Sequence, residues 1–212
     1  MFATISAFSI ALPCATGIIR CKHIYQRYAP FIFVLIIGLL NESLSLLLIR
    51  LFSNNLINSN IYTLLEYLLY VWFFQRISEL NRKSLIVLLS LGFSIWIIDN
   101  FLLHDLLYSN SLFRVIASLI ILWLSINKLS HLTFSVLPDY FKKPDLLLCF
   151  SLLSYFTFRG FIHVIKLFSI GYTTEFYIDL WIILSILNLL VNIAFFIAIL
   201  WIPKQQPSIQ HF

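Results

Sequence analysis

The sequence predicts an all-α fold, a polytopic transmembrane helical bundle that forms one integral membrane domain over residues 1–212. Two features of the composition predict this class: 61% of the residues are hydrophobic and only 11% are charged, and the mean hydropathy is +0.96. Soluble domains do not reach such values. The third observation is that apolar runs of about 18 to 25 residues recur along the chain, which is the length that a helix needs to cross a hydrocarbon core of about 30 Å.

Polar and helix-breaking residues divide the chain into about seven predicted spans. The spans are Phe2–Ile19, Pro30–Phe52, Asn60–Gln75, Lys83–Leu103, Ser109–Lys128, Asp145–Lys166 and Phe176–Ile202. The first is interpreted as a helix and not as a signal peptide, because no positive charge precedes it and no small-residue cleavage pattern follows it. Prolines support these boundaries, since only Pro13 lies inside a span, whereas Pro144 and the others lie at or beyond span ends. The longest connection predicted is the loop 129–144.

Basic residues set the predicted orientation, because the cytoplasmic loops of membrane proteins are enriched in Lys and Arg. Ten of the 14 basic residues belong to one set of alternating loops and span ends: Arg20, Lys22, Arg27, Arg76, Arg82, Lys83, Lys128, Lys142, Lys143 and Lys204. We therefore expect the amino terminus to face outward and the carboxyl terminus to face inward. This distribution explains the net charge of +5 through contact with the lipid bilayer, so no direct nucleic-acid partner is expected.

Charged residues inside the spans lie toward the ends predicted to face outward. Counting 1.5 Å per residue from those ends gives depths of roughly 4 to 8 Å for Asp99, Arg114, His163 and Asp179, about 10 Å for Glu66 and Arg159, about 15 Å for Glu42 and about 18 Å for Asn188. The shallow Asp99, Arg114 and Asp179 form an outer polar layer that can also reach water at the headgroups. A charge near the bilayer centre costs about 2.5 to 3.5 kcal/mol, so the deeper charges require a partner, hydration or a use.

Glu66 and Arg159 lie at matching depth, and we expect them to form an ion pair between the third and sixth spans. The four-residue spacings of Tyr62, Glu66 and Tyr70 and of Tyr155, Arg159 and His163 place each set on one helical face. Two such faces predict a polar pocket. Its predicted residues are Glu42, Tyr62, Glu66, Arg159, His163 and Asn188. The alternative is that the ion pair is purely structural.

These features predict a receptor-like or sensory protein that binds a small ligand or ion from the outer side. One alternative is an accessory, regulatory or pore-forming effector that acts with a cytoplasmic protein through the loop 129–144, and an interfacial half-helix is the simpler interpretation of that loop. A second alternative is a transporter or channel. It is less favoured because few glycines and prolines interrupt the spans and because no ionisable residue is expected on the inner side to continue the polar path.

Motifs for chemistry are absent from the sequence. It contains no nucleophile elbow, no phosphate-cradling glycine loop and no HExxH or CxxC metal motif. We therefore predict no enzyme, no metal and no cofactor, and the pattern makes no prediction about the oligomeric state.

A short segment carries a resemblance to other proteins. Glu42 in the second span, the polar turn from Asn54-Asn55 to Asn60, and the run Ile-Tyr-Thr-Leu-Leu-Glu-Tyr at 61–67 together resemble small uncharacterised multi-pass membrane proteins of Bacteroidota. This resemblance covers about a quarter of the chain. It implies a location in the inner membrane of a bacterial cell, but it implies no activity. In size and in its bias toward Phe, Ile, Leu and Asn, the chain is also similar to small membrane accessory proteins encoded beside RNA-targeting CRISPR effectors, which would place it in antiphage defence.

Overall fold

The fold is all-α in the computed structural model, which describes residues 2–24, 26–78, 80–103, 105–134, 139–168 and 173–203. No strand occurs among these residues. The helices are α1 (Phe2–Phe8), α2 (Ala11–Arg20), α3 (Ala29–Phe52), α4 (Leu56–Ser78), α5 (Arg82–Ile97), α6 (Ser111–Phe134), α7 (Asp139–Leu167) and α8 (Thr174–Trp201). Short 3₁₀ turns at Cys21–His23 and Gln26–Tyr28 join α2 to α3, and α5 continues as a π-helical segment over Ile98–Leu103.

Within the described part of the chain, five segments are long and apolar enough to cross a membrane. They are Gln26–Phe52, Arg82–Leu103, Ser111–Phe134, Lys142–Leu167 and Thr174–Trp201. Large apolar side chains cover the exterior of the bundle, for example Val87, Leu119 and Phe150, which are each about 60% exposed. Such a surface matches a hydrocarbon environment, and membrane association follows from it. The count of seven spans stays a prediction, because neither α4 nor the pair α1 and α2 belongs to this set.

The first predicted span is two helices and not one. The chain turns at Ser9 and Ile10, between α1 and α2, four residues before Pro13. A proline has no backbone N–H and its ring clashes with the carbonyl group four residues earlier, here that of Ser9. The Ser9 carbonyl instead accepts from the backbone N–H of Leu12 at 3.2 Å. The single proline inside a predicted span therefore breaks it.

The predicted loop 129–144 is mostly helical, and this corrects the sequence prediction. Helix α6 continues to Phe134 and α7 begins at Asp139, so that Pro144 lies inside α7 and not at its end. Residues 135–138 lie outside the described part of the chain. The prediction of a long loop was wrong because amphipathic helix ends that extend beyond the apolar core have the composition of a polar connection.

The helices form a ring around a central space. Each of α2, α3, α4, α6, α7 and α8 packs against the next, and α8 closes the ring by packing against α1 and α2. Helix α5 stands outside this ring, where it packs against α4 and more weakly against α6. In this order α3 and α7 lie opposite each other, since two helices separate them in either direction. Residues that project inward from these two helices therefore face each other.

Two of the charged residues at the predicted inner end, Lys128 and Asp145, are buried. The Asp145 side chain is fully buried, and its carboxylate accepts from the Tyr28 hydroxyl at 2.7 Å and pairs with Arg27. Nζ of Lys128 lies 3.4 Å from the same carboxylate and donates to the Ile77 carbonyl oxygen at 2.5 Å. We call these four side chains (Arg27, Tyr28, Lys128 and Asp145) the inner cluster. It ties together the start of α3 and helices α4, α6 and α7.

Close packing attaches α5 to the ring at Gly92. The Tyr67 ring of α4 lies against this glycine, and the Tyr67 hydroxyl donates to the Leu88 carbonyl oxygen at 2.7 Å. A Cβ atom added at Gly92 would lie 2.0 Å from Cε1 of Tyr67. Because Tyr67 is 1% exposed and its hydroxyl is hydrogen-bonded, the ring cannot move aside cheaply.

We predict that Gly92→Ala destabilises the protein by about 1 to 3 kcal/mol, the cost of overpacking a filled site. The direction of this change in stability is informative, because alanine in an unobstructed helix interior would stabilise the protein by about 1 kcal/mol relative to glycine. The measurement is the free energy of unfolding of the purified protein in detergent. Ser94→Ala, at an exposed position two residues along α5, is the matched control and should change it by less than about 0.5 kcal/mol. A stabilised Gly92→Ala variant would show that Tyr67 does not hold α5.

Candidate functional site

A polar cavity of about 230 Å³ lies at the centre of the ring. All six side chains that the sequence predicts for the pocket line it: Glu42, Tyr62, Glu66, Arg159, His163 and Asn188. Tyr70 and Tyr155, the remaining members of the two four-residue patterns, line it as well, and so does Arg114. The cavity is thus lined by the inward faces of α3, α4, α6, α7 and α8. On α4 and α7 these faces carry the residues with the four-residue spacings.

The Glu66 carboxylate and the Arg159 guanidinium join α4 to α7 across the cavity. Nη1 of Arg159 donates to Oε2 of Glu66 at 2.5 Å, with 9% and 7% of the two side chains exposed. The other carboxylate oxygen, Oε1, accepts from the Tyr62 hydroxyl at 3.4 Å. The guanidinium carbon also lies 5.7 Å from the centre of the Tyr155 ring and 5.6 Å from that of Phe156, within the range of a cation–π interaction. The expected ion pair therefore forms, and aromatic rings stabilise its positive member.

Glu42 projects from α3 into the same cavity and differs from Glu66 in having no protein partner. It is half-buried, and no hydrogen bond or ion pair to its carboxylate occurs among the described residues. Its electrostatic neighbours are Glu66 and Arg159. Because an unpaired carboxylate in a confined space is costly, Glu42 offers a strong acceptor to anything that enters.

The opposite wall of the cavity is positive. His163 of α7 is 2% exposed, and its Nδ1 atom has no hydrogen-bond partner among the described residues. Its charged neighbours are Arg114, Arg159 and Lys166. Arg114 itself is held by neutral oxygens, since Nε donates to Oδ1 of Asn110 at 2.6 Å and Nη2 donates to the Ser59 hydroxyl at 2.8 Å. The wall formed by α6 and α7 therefore presents cationic and hydrogen-bonding groups.

Asn188 has a structural contact in addition to its place in the cavity. Its amide nitrogen donates to the Ser6 carbonyl oxygen at 3.1 Å, and Nδ2 of Asn192 donates to the Ser9 hydroxyl at 2.7 Å. These bonds hold the turn between α1 and α2 against α8. The two asparagines, one helical turn apart, thus attach this turn to α8 through their side-chain amides.

The shallow outer layer does not behave as one unit. Asp99 is fully buried and lies outside the cavity, where its Oδ2 accepts from the backbone N–H of Phe113 at 2.8 Å in the first turn of α6. A carboxylate at a helix N-terminus satisfies free backbone donors and the helix dipole. Asp179 is exposed on α8 and also lies outside the cavity, so Arg114 is the only one of these three residues that lines it.

Asn60, which lies behind the cavity and contacts Arg114, is a residue that sequence reasoning missed. It is fully buried. Its Nδ2 donates to the carbonyl oxygens of Leu106 at 3.1 Å and Tyr108 at 2.7 Å, while its own carbonyl oxygen accepts from Nε1 of Trp96 at 2.9 Å. Its Oδ1 lies 3.3 Å from Nη2 of Arg114. The triplet Asn58-Ser59-Asn60 resembled a polar break, but α4 begins at Leu56, and the asparagine lies inside the helix.

Aromatic rings form a layer at the inner end of the cavity, which we call its floor. The Phe195 ring, which lines the cavity, meets Phe31 edge-on with centroids 5.0 Å apart, and Phe31 lies 5.4 Å from Phe73. These three side chains are at most 4% exposed. They come from α8, α3 and α4, so the floor extends across the bundle and separates the cavity from the inner cluster.

The described residues contain no group of three or more His, Cys, Asp or Glu side chains that could hold a metal ion. Compared with protein-family models, curated proteins and solved structures, the chain has no match. The chemistry of the cavity therefore has to be inferred from its own groups, which can bind through charge, hydrogen bonds and aromatic faces.

Replacing one member of the Glu66–Arg159 pair should destabilise the protein strongly. We predict that Glu66→Gln and Arg159→Gln each cost about 3 to 5 kcal/mol, because each leaves the other charge buried without a partner. The double variant should cost clearly less than the sum of the two. Free energies of unfolding in detergent test this in a double-mutant cycle, with the exposed Glu175→Gln as a control for the loss of a carboxylate. Additivity within about 0.5 kcal/mol would mean that the two groups do not stabilise each other.

Proposed function

We propose that this chain is a multi-pass protein of a bacterial inner membrane whose central cavity opens outward and binds a small polar ligand in a receptor-like or sensory role. The observation that carries the proposal is that two polar groups on opposite walls of the cavity have no protein partner among the described residues, the half-buried Glu42 carboxylate and the buried Nδ1 atom of His163. A buried polar group without a partner costs about 1 to 3 kcal/mol. A ligand that pairs with His163 recovers that cost on binding, and the Glu42 carboxylate offers it an anionic partner.

The outward direction of the opening is supported by the positions of the cavity residues along their helices. Arg114 lies three residues from the beginning of α6, and His163 lies four residues from the end of α7, both at the predicted outer end. The basic residues concentrate at the other end, which the positive-inside rule assigns to the cytoplasm. A ligand would therefore reach the cavity from outside.

Binding is favoured over transport or conduction by the packing below the cavity. The floor formed by Phe31, Phe73 and Phe195 is followed by the inner cluster, in which Asp145 already accepts from Tyr28 and Arg27. The buried charges at the inner end therefore close the bundle and do not extend the cavity. A transporter would need a second arrangement in which these contacts separate.

The accessory or effector alternative depended on the length of the loop 129–144. Helices α6 and α7 occupy all of this segment except residues 135–138. The argument from a long loop therefore no longer supports this alternative. A contact between this end of the bundle and a cytoplasmic protein would have to use the helix ends themselves.

The proposed orientation predicts the reactivity of Cys21. This side chain is exposed, whereas Cys14 and Cys149 are buried, so Cys21 is the thiol expected to react in the native protein. In spheroplasts of an expressing host, a membrane-permeant maleimide should label it and a charged, impermeant maleimide should not. Tyr108→Cys, at a 63% exposed position at the opposite end, should react with both reagents. Labelling of Cys21 by the impermeant reagent would reverse the orientation.

Ligand binding predicts a thermal shift that depends on Glu42. In a screen of polar solutes against the purified protein, a ligand present at a hundred times its Kd should stabilise the wild type by about 2.7 kcal/mol. Glu42→Gln should weaken its affinity about tenfold or more, because a hydrogen bond to a charged group contributes about 1.5 to 3 kcal/mol, and should leave folding intact because Glu42 has no protein partner. Glu175→Gln should bind normally. A ligand that stabilises both variants equally would exclude Glu42 from the site.

A further inference from the structure

The charges of the cavity are distributed asymmetrically between its walls. Glu42 belongs to α3, and the helix opposite α3 in the ring is α7, which carries Arg159 and His163. Arg114 adds a second guanidinium from the neighbouring helix α6. One wall is therefore acidic and the facing wall is basic, which is the arrangement that recognises a molecule with a positive and a negative end.

The lining groups also balance in formal charge. Arg159 neutralises Glu66 at 2.5 Å, which leaves the Glu42 carboxylate and the Arg114 guanidinium as one negative and one positive group. A lone cation or anion would bring an uncompensated charge into a confined space of low polarity, where such a charge is expensive. A molecule that carries both charges adds no net charge and pairs with both walls. The balance thus favours a zwitterion over a simple ion.

Both walls retain the hydrogen-bonding groups that such a molecule needs. The Glu42 carboxylate can accept from an ammonium group, and the ring of Tyr62, which also lines the cavity, offers a face to a cation. On the other wall, Nδ1 of His163 has no hydrogen-bond partner among the described residues and can donate to a carboxylate when it carries the ring proton. A guanidinium has five N–H donors, and the ion pair with Glu66 uses Nη1 of Arg159.

The size of the cavity limits the ligand further. A volume of about 230 Å³ lies below the range of about 300 to 1,000 Å³ that is usual for pockets of drug-sized ligands. The cavity therefore favours a molecule of the size of a small or medium-sized amino acid over a nucleotide, an oligosaccharide or a lipid with its chains.

The structure assigns the cavity to a small zwitterion of the amino-acid type, with its ammonium group at Glu42 and its carboxylate at the wall of His163, Arg114 and Arg159. This inference rests on the proposed function, because it names the class of ligand for the same site. The inference predicts that a solute with both charges binds more tightly than the same solute with either charge removed.

The test uses the full-length protein in detergent or nanodiscs and measures ligand affinity by thermal shift and by calorimetry. The probes are L-alanine, L-serine, L-proline, L-leucine and γ-aminobutyrate. For the tightest of them, the carboxamide keeps only the positive charge and the N-acetyl derivative keeps only the negative charge. We expect the zwitterion to bind at least tenfold more tightly than either derivative. Equal affinity for the zwitterion and either derivative would overturn the inference, and this comparison on the wild-type protein depends on no substitution.

Two substitutions then locate the two ends of the ligand. Glu42→Gln should weaken binding of the zwitterion at least tenfold and leave the affinity for the N-acetyl derivative unchanged, whereas His163→Leu should weaken the zwitterion and leave the carboxamide unchanged. Unfolding midpoints and the Glu175→Gln control show that each variant is folded. The reverse pattern, or no effect of either substitution, would overturn the assignment of the ends.

The same screen separates this inference from the proposed function. Neutral polyols, inorganic phosphate and monovalent cations are included as probes. If one of them stabilises the wild type in a Glu42-dependent manner and no zwitterion does, the cavity binds a ligand but the assigned class is wrong. If no probe stabilises the protein, both the binding function and the zwitterion assignment fail.

Discussion

The ion pair between Glu66 and Arg159 is the contact on which the rest of the bundle depends. It fixes α4 and α7 relative to each other inside an apolar bundle, where neither charge can be left alone without a cost of several kcal/mol. Gly160, the residue after Arg159, allows α6 to approach closely, since a Cβ atom there would lie 3.1 Å from Cβ of Ser118. The Ser118 hydroxyl in turn donates to the Arg114 carbonyl oxygen at 2.7 Å. The position of the ion pair therefore also determines where the second guanidinium, that of Arg114, enters the cavity.

Polar groups in the interior form two layers, and the helices repeat a common spacing between them. The two members of three pairs are each fourteen residues apart. The pairs are Arg159 and Asp145 on α7, Arg114 and Lys128 on α6, and Glu42 on α3 with Tyr28, the residue directly before α3. Fourteen residues make nearly four helical turns and about 21 Å, so both members of each pair fall on the inward face. The Phe31, Phe73 and Phe195 rings fill the interval. Two polar layers separated by an aromatic layer thus follow from one helical repeat.

The sequence predicts the cavity residues on α4 and α7 well because they obey local rules. Four-residue spacing places Tyr62, Glu66 and Tyr70 on one face, and counting from the helix ends matches Glu66 to Arg159. The inner cluster could not be predicted in this way, because a charged residue at a span boundary, such as Asp145 or Lys128, is normally solvated. Its burial depends on how far α6 and α7 continue beyond the apolar core and on which helices surround them. Asn60 was missed for the same reason, since its partners Trp96, Leu106 and Tyr108 are distant in sequence and no local pattern specifies them.

The polar groups of the two layers differ in how many hydrogen-bond and ion-pair partners the protein gives them. This difference distinguishes a structural layer from one whose groups remain available to a ligand. In the inner cluster, Asp145 accepts from a hydroxyl and pairs with Lys128 and Arg27, so entry of a ligand would have to replace contacts that already compensate the carboxylate. In the cavity, the half-buried Glu42 carboxylate and the buried Nδ1 atom of His163 have no protein partner among the described residues, so both remain available to a molecule that enters. Folding alone would favour replacing such groups with apolar side chains. Their presence opposite each other, above an aromatic floor and beside a fully formed ion pair, is the arrangement on which the proposed binding of a ligand with two charges rests.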